Sequence, residues 1–107
     1  MTALTGADRR FLRGQAHGLR PAVQVGKAGV TDTVIDSVDR SLLAHELIKV
    51  QFVDFKEEKK ALTADIAART GAAIAGIIGH QAILYRPHPD PARRRIRLPR
   101  GGGAPDA

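Results

Sequence analysis

The sequence predicts a single α/β domain of the α+β, two-layer kind, with elements in the order α-β-α-β-α-β-β and a four-stranded mixed sheet. Three observations lead there. The chain has 107 residues, room for one core and no second domain. Apolar residues make up 43% of it and are spread through residues 4 to 85, enough for a packed interior. The apolar spacing also switches repeatedly between helical and alternating periods, with glycine or proline at most of the switches.

Thr5 followed by Asp8 resembles a capping box, and Phe11, Leu12, Gln15 and Ala16 continue at helical spacing, so the first helix is expected over residues 5 to 16. Arg9, Arg10 and Arg13 give it a basic face, and Gly18 and Pro21 end it. Residues 21 to 25 read as a short strand, and Gly26-Lys27-Ala28-Gly29 as a tight turn. Thr31 caps a helix over 32 to 45, whose stripe of Val34, Ile35, Val38, Leu42 and Leu43 faces inward while Asp32, Asp36, Asp39 and Arg40 face solvent. Leu47 to Phe55 alternates as a strand, with Ile48, Val50 and Phe52 on one face. Asp54 and Glu57 offer a second capping box for a helix reaching residue 70, stopped by Gly71. Ala72 to Ile78 and Gln81 to Tyr85 form a hairpin about Gly79-His80. A helical crossover makes the first strand pair parallel and the hairpin antiparallel. Residues 1–87 thus read as the domain, and 88–107 as a basic, Pro/Gly-rich, largely disordered tail in which Gly101 to Ala107 has nothing apolar to bury.

The absence of cysteine excludes disulfide scaffolds, thiolate zinc sites and cysteine nucleophiles. Residues 1 to 8 lack the order of a signal peptide, and no apolar run nears the roughly 18 residues that span a bilayer, so a soluble, cytoplasmic protein is expected, with monomer the default. His17, His45, His80 and His88 sit on different elements without metal-ligand spacing. Asp65 and the Asp36/Asp39 pair lie on helix surfaces beside no plausible base, and no nucleophile, metal cluster or cofactor loop stands out, so neither catalysis nor a cofactor nor a small-molecule substrate is expected. A nucleotide-triphosphate loop fails because Pro21 and Ala28 stand where that motif needs glycine and Ser or Thr.

The net charge of +6 lies at the ends. Residues 1 to 30 hold five basic groups against Asp8, residues 31 to 85 six against eight acidic ones, and residues 86 to 107 six arginines against Asp90 and Asp106. Such asymmetry suits a polyanion, and on charge alone an anionic membrane serves almost as well as RNA. The most specific local feature is Gly26-Lys27-Ala28-Gly29 between a strand and a helix N-terminus. It reads either as an ordinary turn with a helix cap or as a phosphate cradle, its two glycines admitting close approach and the amides of Val30 and Thr31 pointing outward. Lys56, Lys59 and Lys60 alternate with Glu57 and Glu58 as on an exposed helix start. Of the few aromatics only Tyr85 or Phe55 is a candidate for base stacking, so shape and phosphate recognition are expected over base readout.

Leu12-Arg13-Gly14-Gln15-Ala16-His17-Gly18-Leu19-Arg20-Pro21 followed by Val25-Gly26-Lys27-Ala28-Gly29-Val30-Thr31 is similar to the opening of CRM, or YhbY-like, domains. His45-Glu46-Leu47-Ile48-Lys49-Val50 resembles their second strand, and Thr70-Gly71-Ala72, Ile78-Gly79 and Leu84-Tyr85-Arg86-Pro87 their closing segment. Even Ile96-Arg97-Leu98-Pro99 resembles a short segment after that domain. The resemblance implies a fold like the C-terminal domain of translation initiation factor three, with a Gly-x-x-G loop at Gly26, Lys27, Ala28 and Gly29. It also implies an RNA partner, since stand-alone bacterial members are associated with precursors of the large ribosomal subunit. Arg9, Arg10, Arg13, Arg20, Lys49 and Arg86 are the cations expected around the loop. The alternative is a protein-interaction module that docks an acidic or ribosomal protein.

Overall fold

The computed structural model describes residues 4–99. Helix α1 spans Gly6–Ala16, strand β1 Val23–Val25, helix α2 Asp32–His45, strand β2 Leu47–Phe52, helix α3 Lys59–Thr70, strand β3 Ala73–Ile78 and strand β4 Gln81–Tyr85. The four strands form one sheet in the order β1-β2-β4-β3. β1 runs parallel to β2, with Val23 opposite Val50 and Val25 opposite Phe52. β2 and β3 both run antiparallel to β4, which therefore lies between them. Element order, class and mixed sheet are those expected from the sequence.

The layering departs from the two-layer expectation, because the sheet is covered on both faces. Val23, Val25, Ile48, Val50, Phe52, Ala82 and Leu84 pack with Val38 and Leu42 of α2 and Ile66 and Ala67 of α3. On the opposite face Leu47, Ala75, Ile83 and Tyr85 pack with Leu12 and Ala16 of α1. The cause is legible in β4. Ala82, Ile83, Leu84 and Tyr85 are all buried, and an uninterrupted apolar strand must be covered on both sides.

Two of the three expected caps form. Thr5 and Asp8 bond reciprocally through backbone and side chain at 3.0 Å, and the Thr31 hydroxyl accepts from the Val34 amide at 3.2 Å. The third does not. Phe55 takes a left-handed conformation (φ 57°), a short 3₁₀ turn over Lys56–Glu58 follows, and α3 starts at Lys59 with no side-chain cap. The strand accordingly ends at Phe52 rather than Phe55. Gly71 and Gly79 adopt φ of 74° and 61°, as the helix stop and the hairpin turn require.

The segment after β4 also differs from the expected loose tail. Residues 88–99 form a strap laid along the domain. The Glu46 carboxylate accepts from the amides of His88 (2.8 Å), Arg95 (2.8 Å) and Ile96 (3.2 Å), while its carbonyl accepts from the Arg86 amide (2.9 Å). Ile96 and Leu98 add to the apolar cluster beside α1. The disorder expected of Gly101 to Ala107 concerns residues outside the described ones.

Glu46 itself is 2% exposed and ends α2 with φ 65°, a conformation costing a non-glycine residue on the order of 1 kcal/mol or more. Cutting the chain after residue 87 removes all three donors to its carboxylate and uncovers part of the α1-side cluster. The truncated protein is expected to keep its far-ultraviolet circular dichroism but lose on the order of 2 to 4 kcal/mol of stability. A thermal midpoint equal to that of the full chain would show the strap to be energetically idle.

Candidate nucleic-acid interface

The parallel pairing of β1 with β2 puts the Gly26–Gly29 loop at the end of the sheet where β2 finishes. It is a closed turn, with the Gly29 amide donating to the Gly26 carbonyl at 2.9 Å. Gly29 has φ 77°, so its place in the turn demands glycine, and its α-carbon faces the Phe55 ring. Gly26 has no such demand. Its φ is not in the left-handed region, and a β-carbon added there would meet nothing within 4 Å. The structure around Gly26 thus leaves an open approach to the backbone. Lys27 and Ala28 are exposed at the tip, and Lys27 has no ion pair or hydrogen bond among the described residues.

The start of α2 is a weaker anion site than its position suggests. The Thr31 amide, expected to point outward, donates to the Gly29 carbonyl at 3.1 Å, and the Val34 amide is taken by the Thr31 cap. Asp32 adds a carboxylate in the first turn, paired with Arg69 at 3.2 Å. An incoming phosphate would therefore meet a negative charge beside the helix dipole. The loop has to rely on Lys27 and its own backbone.

The other expected cations divide into two groups. Arg10 and Arg20 are exposed and unpaired among the described residues, and Arg9 is exposed with one local bond to the Leu4 carbonyl at 2.8 Å. Arg13, Lys49 and Arg86 hold the fold. Arg13 Nη1 donates to the Ala75 carbonyl (3.0 Å), and its stem lies so close to Gly76 that a β-carbon there would stand 2.7 Å from Arg13 Cδ. Lys49 Nζ donates to the carbonyls of His17 (3.3 Å) and Leu19 (3.0 Å), tying down the chain that leaves α1. Arg86, with a side chain 19% exposed, donates to Asp39 Oδ1 (2.7 Å), the Asp39 carbonyl (3.0 Å) and the Thr70 carbonyl (2.7 Å), joining β4 to both α2 and α3. It also follows Tyr85, which pairs with Leu47 at the start of β2, the sheet end opposite Lys27. The ten residues expected to form one site are not one cluster.

Free cations nevertheless gather beside α1. The side covered by α1 carries exposed Arg9 and Arg10, with Arg20 after the helix, whereas α2 on the other side exposes Arg40 with Asp32, Asp36 and Asp39, of which Asp32 and Asp39 are paired with Arg69 and Arg86. Sequence reasoning missed how Phe55 is placed: it is 41% exposed beside Gly29, so an aromatic edge flanks the loop. Tyr85, the other stacking candidate, is buried. Near the hairpin turn, Lys59 Nζ bonds to the Gly79 carbonyl and to His80 Nδ1. The His80 imidazole is held below its ordinary pKa by loss of hydration, then by the charges of Lys59 and Lys56. Among the described residues no group of three His, Cys, Asp or Glu is placed to hold a metal, and no helix is long and apolar enough to cross a membrane.

Known proteins share this architecture. Residues 4–86 match the CRS1 / YhbY (CRM) domain. A Haemophilus influenzae protein named RNA-binding protein is 40% identical over 101 residues, spanning 94% of this chain and 99% of its own. Probable RNA-binding protein YqeI of Bacillus subtilis is 38% identical over 97 residues, spanning 90% and 99%. The solution structure of SAV1595 from Staphylococcus aureus superposes with a TM-score of 0.76 at 34% identity, covering 90% of this chain and 99% of that one.

The division of the cations has a direct test. Arg13→Ala and Arg86→Ala each remove charged hydrogen bonds to backbone, so each is expected to lose about 1 to 3 kcal/mol, or several degrees in thermal midpoint. Lys27→Ala and Arg10→Ala should stay within about 0.5 kcal/mol of the parent. Thermal melts of the four variants decide it; an Arg13→Ala melt that overlays that of Lys27→Ala would return Arg13 to the exposed set.

Proposed function

The chain belongs to the CRS1 / YhbY (CRM) domain family, and from that membership and the geometry above we propose that it binds structured RNA without catalysing a reaction. The observation that carries the reading is the set of exposed, unpaired cations on the loop and beside α1, Lys27, Arg10 and Arg20. A phosphate backbone is attracted to such free charges before any base is read. The names borne by the Haemophilus and Bacillus relatives support RNA as the ligand. Gly26, Lys27, Ala28 and Gly29 contact phosphates at one end of the surface, Arg9, Arg10 and Arg20 extend it, and Phe55 offers a ring to an unpaired base. Arg13, Lys49 and Arg86 serve the site by holding its frame.

The resemblance to stand-alone bacterial CRM proteins points to precursor ribosomal RNA of the large subunit as the RNA, and to assembly of that subunit in the cytoplasm as the setting. Sedimentation of a cell lysate separates this from protein docking. Migration with large-subunit precursors that is lost on RNase treatment supports the RNA reading, and migration indifferent to RNase supports a protein partner.

For the interface itself, Gly26→Ala is informative because neither backbone strain nor a clash accompanies it. It is expected to leave the thermal midpoint unchanged and to weaken RNA binding by obstructing backbone approach. Lys27→Ala combined with Arg10→Ala should weaken binding and flatten the slope of log affinity against log salt by about 0.7 to 0.9 per lost contact. Unaltered affinity and slope in all these variants would remove the loop and α1 from the interface.

A further inference from the structure

The strap over residues 88–99 belongs to the segment that the sequence reads as a basic, largely disordered tail, and its geometry gives it a more specific part. We propose that Arg95 and Arg97, on a strap anchored by Glu46, form a second row of contacts to the sugar-phosphate backbone of RNA. The proposal rests on the RNA-binding reading above and adds to it a site outside the Gly26–Gly29 loop.

The strap is fixed at both its start and its middle, by Glu46 bonds to the amides of His88, Arg95 and Ile96. Past this anchor it alternates. Arg95, Arg97 and Pro99 are exposed, whereas Ile96 and Leu98 are half-buried against the cluster that α1 covers. The anchor and the apolar pair therefore turn Arg95 and Arg97 outward on one side, about 6.6 Å apart if the backbone is extended. Helical spacing puts Phe11 and Gln15 on the flank of α1 next to the strap, and Arg9 and Arg13 on the flank over β3. Between strap and helix lies a groove of about 440 Å³ lined by Gln15, Leu19, Arg20 and Ile96 among others. Ile96 is the strap residue that lines this groove, whereas Arg95 borders a separate cavity beside Glu46 and His88.

Not every arginine of the strap is available. Arg94 Nε donates to the His88 carbonyl at 2.8 Å, and Arg93 faces Asp90 at 3.9 Å. The side chains of Arg95 and Arg97 have no such partner among the described residues. A docked strap also presents its charges in an order already established in the free protein, so less freedom is lost on binding than from a flexible tail.

The test uses the full-length protein and protein-free large-subunit ribosomal RNA, with affinity measured over a range of salt. Arg95→Ala with Arg97→Ala should lower affinity at least tenfold and flatten the salt slope by about 1.4 to 1.8, two contacts' worth. Arg93→Ala with Arg94→Ala removes the same charge and should do less than half of that. Ile96→Ser with Leu98→Ser keeps every charge but frees the strap, and should resemble the Arg95, Arg97 pair while circular dichroism shows the domain folded. Equal losses in the two arginine pairs, or parental affinity in the Ile96, Leu98 pair, would overturn the row in favour of a simple electrostatic tether. In both cases the parent still binds RNA, so the reading of function survives; a parent without salt-dependent binding overturns both.

Discussion

A carboxylate removed from water needs several donors to replace its hydration, and at Glu46 these come from a part of the chain more than forty residues away. The position it occupies ordinarily suits glycine, since α2 must end there in a conformation with φ 65°. A glutamate at that point accepts local strain in return for an anchor. Its amide closes the helix onto Leu42, its carbonyl receives the chain leaving β4, and its side chain receives the strap. The end of α2, the beginning of β2 and the carboxyl-terminal segment are thereby fixed relative to one another, and the α1-side face of the sheet gains its last cover.

Cations in this protein do two kinds of work, and side-chain chemistry alone does not separate them. Lys49 and Arg13 donate to backbone carbonyls from opposite flanks of α1, one holding the loop after the helix and the other gripping β3. Arg86 gathers α2, α3 and β4 at the other end of the sheet. Because these three satisfy backbone and carboxylate groups, the frame that carries Lys27, Arg10 and Arg20 is stiff. Positioning the free charges is then a property of packing.

How much of this was legible depended on sequence distance. Helix caps at Thr5 and Thr31, the stops at Gly71 and Gly79 and the alternation of β2 are written within a few residues, and each was read correctly. The Asp54 and Glu57 pair has equally suitable residue types, yet the left-handed turn at Phe55 puts a 3₁₀ segment where the box would stand. The strap looked disordered because its prolines and arginines offer no local reason to be still; its partner Glu46 is separated by 42 to 50 residues. The candidate site suffered similarly. Nothing near Arg13 reveals that it reaches a carbonyl 62 positions on, nor near Arg86 that Asp39 awaits it. The second covered face was available in principle, since four successive apolar residues in β4 do not suit a sheet with one side wet.

The contact between Arg13 and Gly76 extends beyond the stability of one protein. Pairing of β3 with β4 is irregular between Ile74 and Gly76, and the missing side chain at this point is the space through which the arginine stem passes. A β-carbon at 76 therefore requires the arginine stem to shift, and finds room once the side chain at 13 is short. Over evolutionary time the two should change as a linked pair, and the order in which substitutions become permissible is imposed by a single ångström-scale gap between a helix and a strand.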